Sequence, residues 1–204
     1  MEIADLLVAG GEVVTHLARR RADVVVCNGK ITQLLDPGAP KPDAARVIDA
    51  RGLYVLPGAI DPHTHIGGGA KVLGSVQAAV KVCTRALAFG GTTTVMEMIS
   101  PLKDASLDDS VDHAQEEREG NMAIDFAFHL SLHSIDDHLL EQLARLGDAG
   151  TPSFHASFEG ARGQPLDEGS LYRLLQIARE RRMVAILHAE DSRLKAELDR
   201  KSVV

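Results

Sequence analysis

Short apolar runs separated by turn residues fill the first quarter of the chain. Residues 3–9, 22–27, 31–35, 47–49 and 53–56 read as strands, with breaks at Gly10-Gly11, Asn28-Gly29 and Asp36-Pro37-Gly38. Asn-Gly between two such runs is a strong signal for a tight hairpin, so residues 31–35 are expected to pair back on 22–27. From Pro57 onward the pattern changes, and apolar strand-like runs alternate with stretches of helical period. The expected strands cover 92–98, 123–132, 152–158 and 183–187, after a first one that ends near residue 65. The expected helices cover 72–88, 107–119, 135–146, 171–182 and 193–201, with Asp104 and Ser106 as candidate caps for the second. Repeated strand–helix units argue for a parallel sheet with right-handed crossovers.

Composition narrows this picture. Hydrophobic residues make up 45% and aromatics only 3%, with no Trp, so the core is built from Val, Leu, Ile and Ala, as in helix-covered parallel sheets. The net charge of −7 and the lack of a basic stripe argue against nucleic acid as a partner. Cys27 and Cys83 form no Cys-x-x-Cys pair, which suits a reducing, cytoplasmic setting. No apolar run approaches the ~20 residues of a membrane span, and no membrane partner is expected.

The chemistry concentrates at Asp61-Pro62-His63-Thr64-His65. Residues i and i+2 of a strand share a face, so both imidazoles leave the end of what reads as a buried strand in the same direction. Neutral imidazole binds zinc and its neighbours, and two on one face supply half a tetrahedral site. Asp61 shares their parity and is placed to orient one ring through its second nitrogen. Ile66-Gly67-Gly68-Gly69 follows as a flexible active-site loop, and it lacks the spacing of a phosphate cradle.

The Gly-x-Ile-Asp-x-His-x-His pattern after a Leu-Pro turn resembles the amidohydrolase superfamily, and Asp61 to His65 resembles its hydantoinase and dihydropyrimidinase branch. The resemblance implies an α/β fold, a TIM (β/α)8 barrel preceded by a small β-sandwich, with a divalent metal, zinc being the expected ion, at the carboxyl ends of the strands. Residues 1–56 would form the sandwich segment and 57–204 the amino-terminal part of the barrel. Eight units need about 250 residues, whereas Pro57 to Val204 supplies about five, so a partial barrel belonging to a longer protein is expected. Leu187-His188-Ala189-Glu190 is similar to the Val-His-Ala-Glu segment of hydantoinases, which implies that His188 is a metal ligand. Phe128-His129 is similar to the Phe-His of the third barrel strand, where an interior hydrogen-bonded histidine is expected, and His133 stands at that strand's end.

The fourth strand departs from the family. Ser153-Phe154-His155 stands where the resemblance places Ser-Phe-Lys, the lysine being carboxylated and bridging two metals. A carbamate gives one oxygen to each metal and an imidazole nitrogen binds one, so a single ion is expected, with His155 among its candidate ligands. Gly160 stands where the family has a tyrosine that polarises the substrate carbonyl.

The metal candidates are therefore His63, His65, His188 and His155, with the proton-shuttling aspartate of the family expected in later strands. The expected activity is hydrolysis of a cyclic amide, such as a hydantoin, a dihydropyrimidine or a related cyclic ureide. An incomplete barrel exposes two sheet edges, so assembly into a homo-oligomer is expected. The competing expectation is a non-catalytic scaffold or interaction protein, like the collapsin response mediator relatives of dihydropyrimidinase. Loss of the fourth-strand lysine and tyrosine favours that alternative, and retention of both His63 and His65 opposes it.

Overall fold

The computed structural model of the protein describes residues 3–132, 135–157, 166–190, 194 and 197–199. The chain divides into two compact units, Met1–Gly58 and Ala59–Val204. In the first unit, strands β1 (Ala4–Val14), β2 (Arg19–Cys27), β3 (Lys30–Leu35), β4 (Ala44–Asp49) and β5 (Tyr54–Val55) make one mixed sheet. Its order is β3-β2-β1-β4, with β5 also against β1; β2 pairs antiparallel with β1 and β3, and β4 and β5 lie parallel to β1. Asn28 and Gly29 turn the β2–β3 hairpin with positive φ angles of 52° and 69°, as a two-residue turn that follows the strand twist requires.

Gly10-Gly11 does not end the first strand, contrary to the sequence expectation. β1 runs through to Val14, and its register against β2 shifts between Val8 and Gly11. Gly10 takes φ +74°, which favours a residue without Cβ, and forms a bulge rather than a turn. The bulge aims the Gly10 N–H at Asp23 Oδ1, 2.6 Å away. Asp23 is 5% exposed, and Lys41 Nζ reaches its other oxygen at 2.6 Å. Burial pushes the Asp23 carboxyl up, but the Lys41 ammonium and the Gly10 N–H outweigh it and hold the group below its ordinary value.

The second unit alternates strands and helices: β6 (Ala59–Thr64), α1 (Ala70–Leu73), α2 (Val76–Phe89), β7 (Thr92–Ile99), α3 (Leu107–Arg118), β8 (Asp125–Leu132), α4 (Asp137–Asp148), β9 (Ser153–Ser157), α5 (Glu168–Arg181) and β10 (Val184–His188). The five strands are parallel in the order β10-β9-β8-β7-β6 and curl into a half-barrel. The expected helix over 72–88 is broken instead. Gly74 ends α1 at φ 88°, and the Ser75 side chain restarts the chain as α2 by accepting the Ala78 N–H at 3.1 Å. Ser106 caps α3 in a reciprocal box with Asp109, while Asp136 and Asp167 cap α4 and α5. Of the last expected helix, over 193–201, all but residues 194 and 197–199 lie outside the described residues.

Alternation decides what each face of this sheet does. Ile99, Leu130, Leu132, Phe154 and Ala156 point outward and pack with Leu107, Leu140, Leu143, Leu146 and Leu174 of the helices. Val95 packs likewise with Ile66 and with Val80 of α2. The intervening residues face the barrel interior. β6 is an exposed edge rather than the expected buried strand: it pairs with β7 alone among the described residues, and Ile60 is 65% exposed. Among the described residues no single helix is long and apolar enough to cross a membrane.

A depressed carboxyl stabilises the fold above its ordinary pKa of about 3.9, and that contribution is lost as the pH falls through the depressed value. Asp23→Asn is therefore expected to lower the urea midpoint at pH 7 and to converge with the wild type under strongly acid conditions. A difference independent of pH contradicts this account of Asp23.

Candidate metal centre

The interior face of β8 and β9 carries His129, Ser131, Ser153 and His155, all buried. β8 pairs with β9 in register, Ser131 directly opposite His155, and two steps back the same register sets His129 opposite Ser153. Two serine–histidine bonds cross the strands as a result. Ser153 Oγ lies 2.5 Å from His129 Nδ1, and Ser131 Oγ lies 2.9 Å from His155 Nδ1.

The other nitrogen of His129 decides its tautomer. Nε2 lies 3.0 Å from the Pro62 carbonyl, which only accepts, so Nε2 carries the proton and Nδ1 accepts from the Ser153 hydroxyl. Burial lowers the pKa of this ring, the Pro62 carbonyl opposes that, and nearby His63 adds to the lowering. The ring stays neutral, and both its nitrogens are spent on tying β8 to β9 and to β6. It is the interior hydrogen-bonded histidine expected from the sequence.

Pro62 stands in a register shift between Asp61 and Thr64, which turns the end of β6 toward the interior. Asp61 holds this bend by accepting the His63 N–H at 3.1 Å. Its carboxylate thus serves the backbone, not an imidazole ring as the parity argument expected. The His63 and His65 rings stand 5.4 Å apart, centroid to centroid, and the His63 and His155 rings 6.0 Å apart. β6 and β9 are three strands apart, which in a flat sheet is about 14 Å. The short ring distance measures how far the sheet has curled.

His188 ends β10, at the opposite edge of the sheet from β6, beside Ser157 of β9. Its Nε2 lies 3.0 Å from Glu190 Oε2, and its side chain is 44% exposed. The rings of His63, His65 and His155 are thus neighbours, and His188, on the strand beside that of His155, pairs with the Glu190 carboxylate. Among the described residues no three His, Cys, Asp or Glu side chains stand close enough to hold an ion. His133 and Gly160 lie outside the described residues.

The donor chemistry nevertheless suits a metal. Two imidazoles on a tetrahedral zinc, with bonds of about 2.0–2.1 Å, bring their centroids to roughly 5 Å. The 5.4 Å between His63 and His65 fits that arrangement. His155 is the third imidazole of this neighbourhood, its ring 6.0 Å from that of His63. Its Nδ1 is held by Ser131, the kind of support that sets the orientation of a metal-binding ring.

Sequence reasoning missed four residues here. Ser131 and Ser153 matter through strand register, and a common offset of 24 residues to their histidines was the available signal. Glu97 is 1% exposed on the outer face of β7, bonded through both oxygens to Arg118 of α3 at 3.0 and 3.1 Å. A carboxylate inside the apolar run Val95-Met96-Glu97-Met98-Ile99 signals a buried charge that needs a cation. Gly67 does not belong to a flexible loop: Ile66–Gly69 forms a 3-10 turn whose Gly67 N–H donates to Glu97 Oε1 at 2.5 Å. A cavity of about 330 Å³ opens beside this turn, lined by His65, Gly67, Glu97, His113, Glu117 and Arg118 among others.

Residues 54–202 match the profile of the Amidohydrolase family. The D-hydantoinase of Streptomyces coelicolor is 32% identical over 191 residues, covering 91% of this chain and 40% of that protein. The D-hydantoinase of Geobacillus stearothermophilus is 33% identical over 204 residues, covering 97% of this chain and 41% of that one. A solved D-hydantoinase structure superposes with a TM-score of 0.82 at 31% identity, over 98% of this chain and 43% of that structure. The chain spans about two fifths of the length of the curated relatives it matches.

Replacing His129 by Ala strands the Pro62 carbonyl and the Ser153 hydroxyl. The expected loss of stability is about 1–3 kcal/mol in urea unfolding, the cost of unsatisfied buried partners. A loss below about 0.5 kcal/mol, typical of exposed positions, contradicts its role as a tie.

Proposed function

The chain belongs to the amidohydrolase family, and from that premise we propose that it forms the metal-binding arm of a hydrolase of cyclic amides. The observation that carries the reading is the pairing of the His63 and His65 rings at 5.4 Å at the carboxyl end of β6, with His155 facing them across the half-barrel. The D-hydantoinase relatives support a hydantoin, a dihydropyrimidine or a related cyclic ureide as the substrate class. A divalent ion bound there, zinc by the nitrogen-rich donor set, would supply Lewis acidity toward an amide carbonyl and toward water.

The residues of this chain perform the holding. His63 in β6 and His65 just past its end would supply two nitrogens, and His155 in β9, oriented by Ser131, would supply the third. His129 keeps Pro62, and so the bend before His63, in place. His188, paired with Glu190, ends the neighbouring strand β10 and is the fourth candidate ligand of that ion. Among the described residues that pair is the nearest analogue of a base with its orienting carboxylate.

A second reading, a non-catalytic scaffold of the same fold, is favoured by one observation: no three ligands stand assembled among the described residues. Metal content separates the two. After dialysis against zinc-free buffer, the protein should retain close to one equivalent of zinc, and His63→Ala/His65→Ala should retain none. Ring opening of hydantoin or a dihydropyrimidine is expected from the zinc-loaded chain together with a segment supplying the remaining barrel strands, and should be sensitive to a chelator. Equal zinc in both proteins contradicts the site, and zinc retention with no ring opening even when the remaining barrel strands are supplied favours the scaffold.

A further inference from the structure

Apart from its edge-on contact with the His63 ring, His65 is held by its neighbours in sequence. Thr64 Oγ1 donates to the Met96 carbonyl at 3.2 Å, Ile66 is buried against Val80 and Val95, and the Gly67 N–H donates to Glu97 Oε1. The Gly68 N–H then returns to the His65 carbonyl at 3.1 Å and closes the turn. On one side His65 lines the cavity it shares with Glu97 and Arg118, so close packing does not fix it there. Its direction depends on the backbone on either side.

The Gly67 tie is the unusual one, because its acceptor is a buried charge. Glu97 is 1% exposed and Arg118 5% exposed, and a second carboxylate, Glu117, takes Arg118 Nη1 at 2.7 Å. The guanidinium also stands over the Phe128 ring, 5.7 Å from its centroid. A buried ion pair is poor evidence for stability, since apolar residues of similar volume often serve as well. What apolar residues cannot do here is accept the Gly67 N–H. A Cβ on Gly67 would stand 2.9 Å from Glu97 Oε1 and 3.0 Å from Arg118 Nη2, so the pair and the backbone are fitted to one another.

We propose that the buried Glu97–Arg118 pair is a positioning device for the metal arm: through the Gly67 amide it fixes the backbone of His65, and with it the direction of that imidazole. The inference rests on the metal-binding reading given above. Arg118 locks both oxygens of Glu97, Glu97 locks the Gly67 peptide, and the 3-10 turn passes that constraint back to His65.

Gly67→Ala and Gly68→Ala form a matched pair for the test. Neither glycine has a positive φ, and a Cβ on Gly68 meets nothing within 4 Å. Glu97→Gln, which keeps an acceptor but removes the charge, is a third variant. Co²⁺ affinity of the 204-residue chain is measured by competition with a chelator, beside thermal unfolding and exchange of the Gly67 amide. Gly67→Ala and Glu97→Gln should bind Co²⁺ about 10–100-fold more weakly, as when the outer supports of ligands are lost, with altered visible spectra. Gly68→Ala should match the wild type. Ring relaxation of His65 in metal-free protein gives a second readout, and greater mobility is expected in Gly67→Ala alone of the two glycine variants.

Faster exchange of the amide at position 67 in Gly67→Ala together with unchanged Co²⁺ affinity would overturn the proposal. Unchanged His65 ring motion would overturn it too, whether or not Co²⁺ binds. A wild type that binds no Co²⁺, while Gly67→Ala still loosens His65, would fail the metal reading and leave the positioning role supported. If Glu97→Gln fails to fold, the two glycine variants decide alone.

Discussion

The chemistry of the second unit depends on the alternation of side chains along a curled parallel sheet. One set of positions on β7, β8 and β9 is apolar, Glu97 of β7 excepted, and is covered by α3, α4 and α5. That burial leaves the other set free to be polar, and on β8 and β9 it is filled by histidine and serine. Curling then turns a row of side chains on separate strands into a cluster. Without it, His63 and His155 would stand about 14 Å apart, the width of three strand spacings; with it, their rings meet at 6.0 Å.

Polar groups buried this deeply must be satisfied within the fold. His129 spends both nitrogens on Ser153 and Pro62, and Ser131 takes one nitrogen of His155. Glu97 is met by Arg118 and by Gly67. These bonds do different work. Those of His129 set the bend of β6 before His63, and those of Glu97 set the turn after His65. The two ring-bearing residues are bracketed by buried polar contacts, while their own side chains are exposed to whatever enters the half-barrel.

Local and periodic features could be read directly from the sequence. The Asn28-Gly29 hairpin, the alternation of strands and helices after Pro57, and the His63 and His65 pair all depend on neighbours in the chain. What escaped was set by distant residues. Gly10-Gly11 reads as a turn, yet the partner strand and Asp23 convert it to a bulge. The three glycines after Ile66 read as a flexible loop, yet Glu97, thirty residues later, pins Gly67. Parity alone aimed Asp61 at a ring, and the register shift beside Pro62 turned it to the His63 amide instead.

The metal centre proposed has His63, His65 and His155 holding one ion between them, His155 standing where the resemblance to hydantoinases places a bridging lysine. X-ray absorption at the zinc edge, on protein loaded with one equivalent, counts the imidazoles around the metal directly. The account predicts three ring nitrogens at about 2.0–2.1 Å in an open shell, falling to two in His155→Ala. An oxygen-only shell, or a nitrogen count that His155→Ala leaves unchanged, would contradict it.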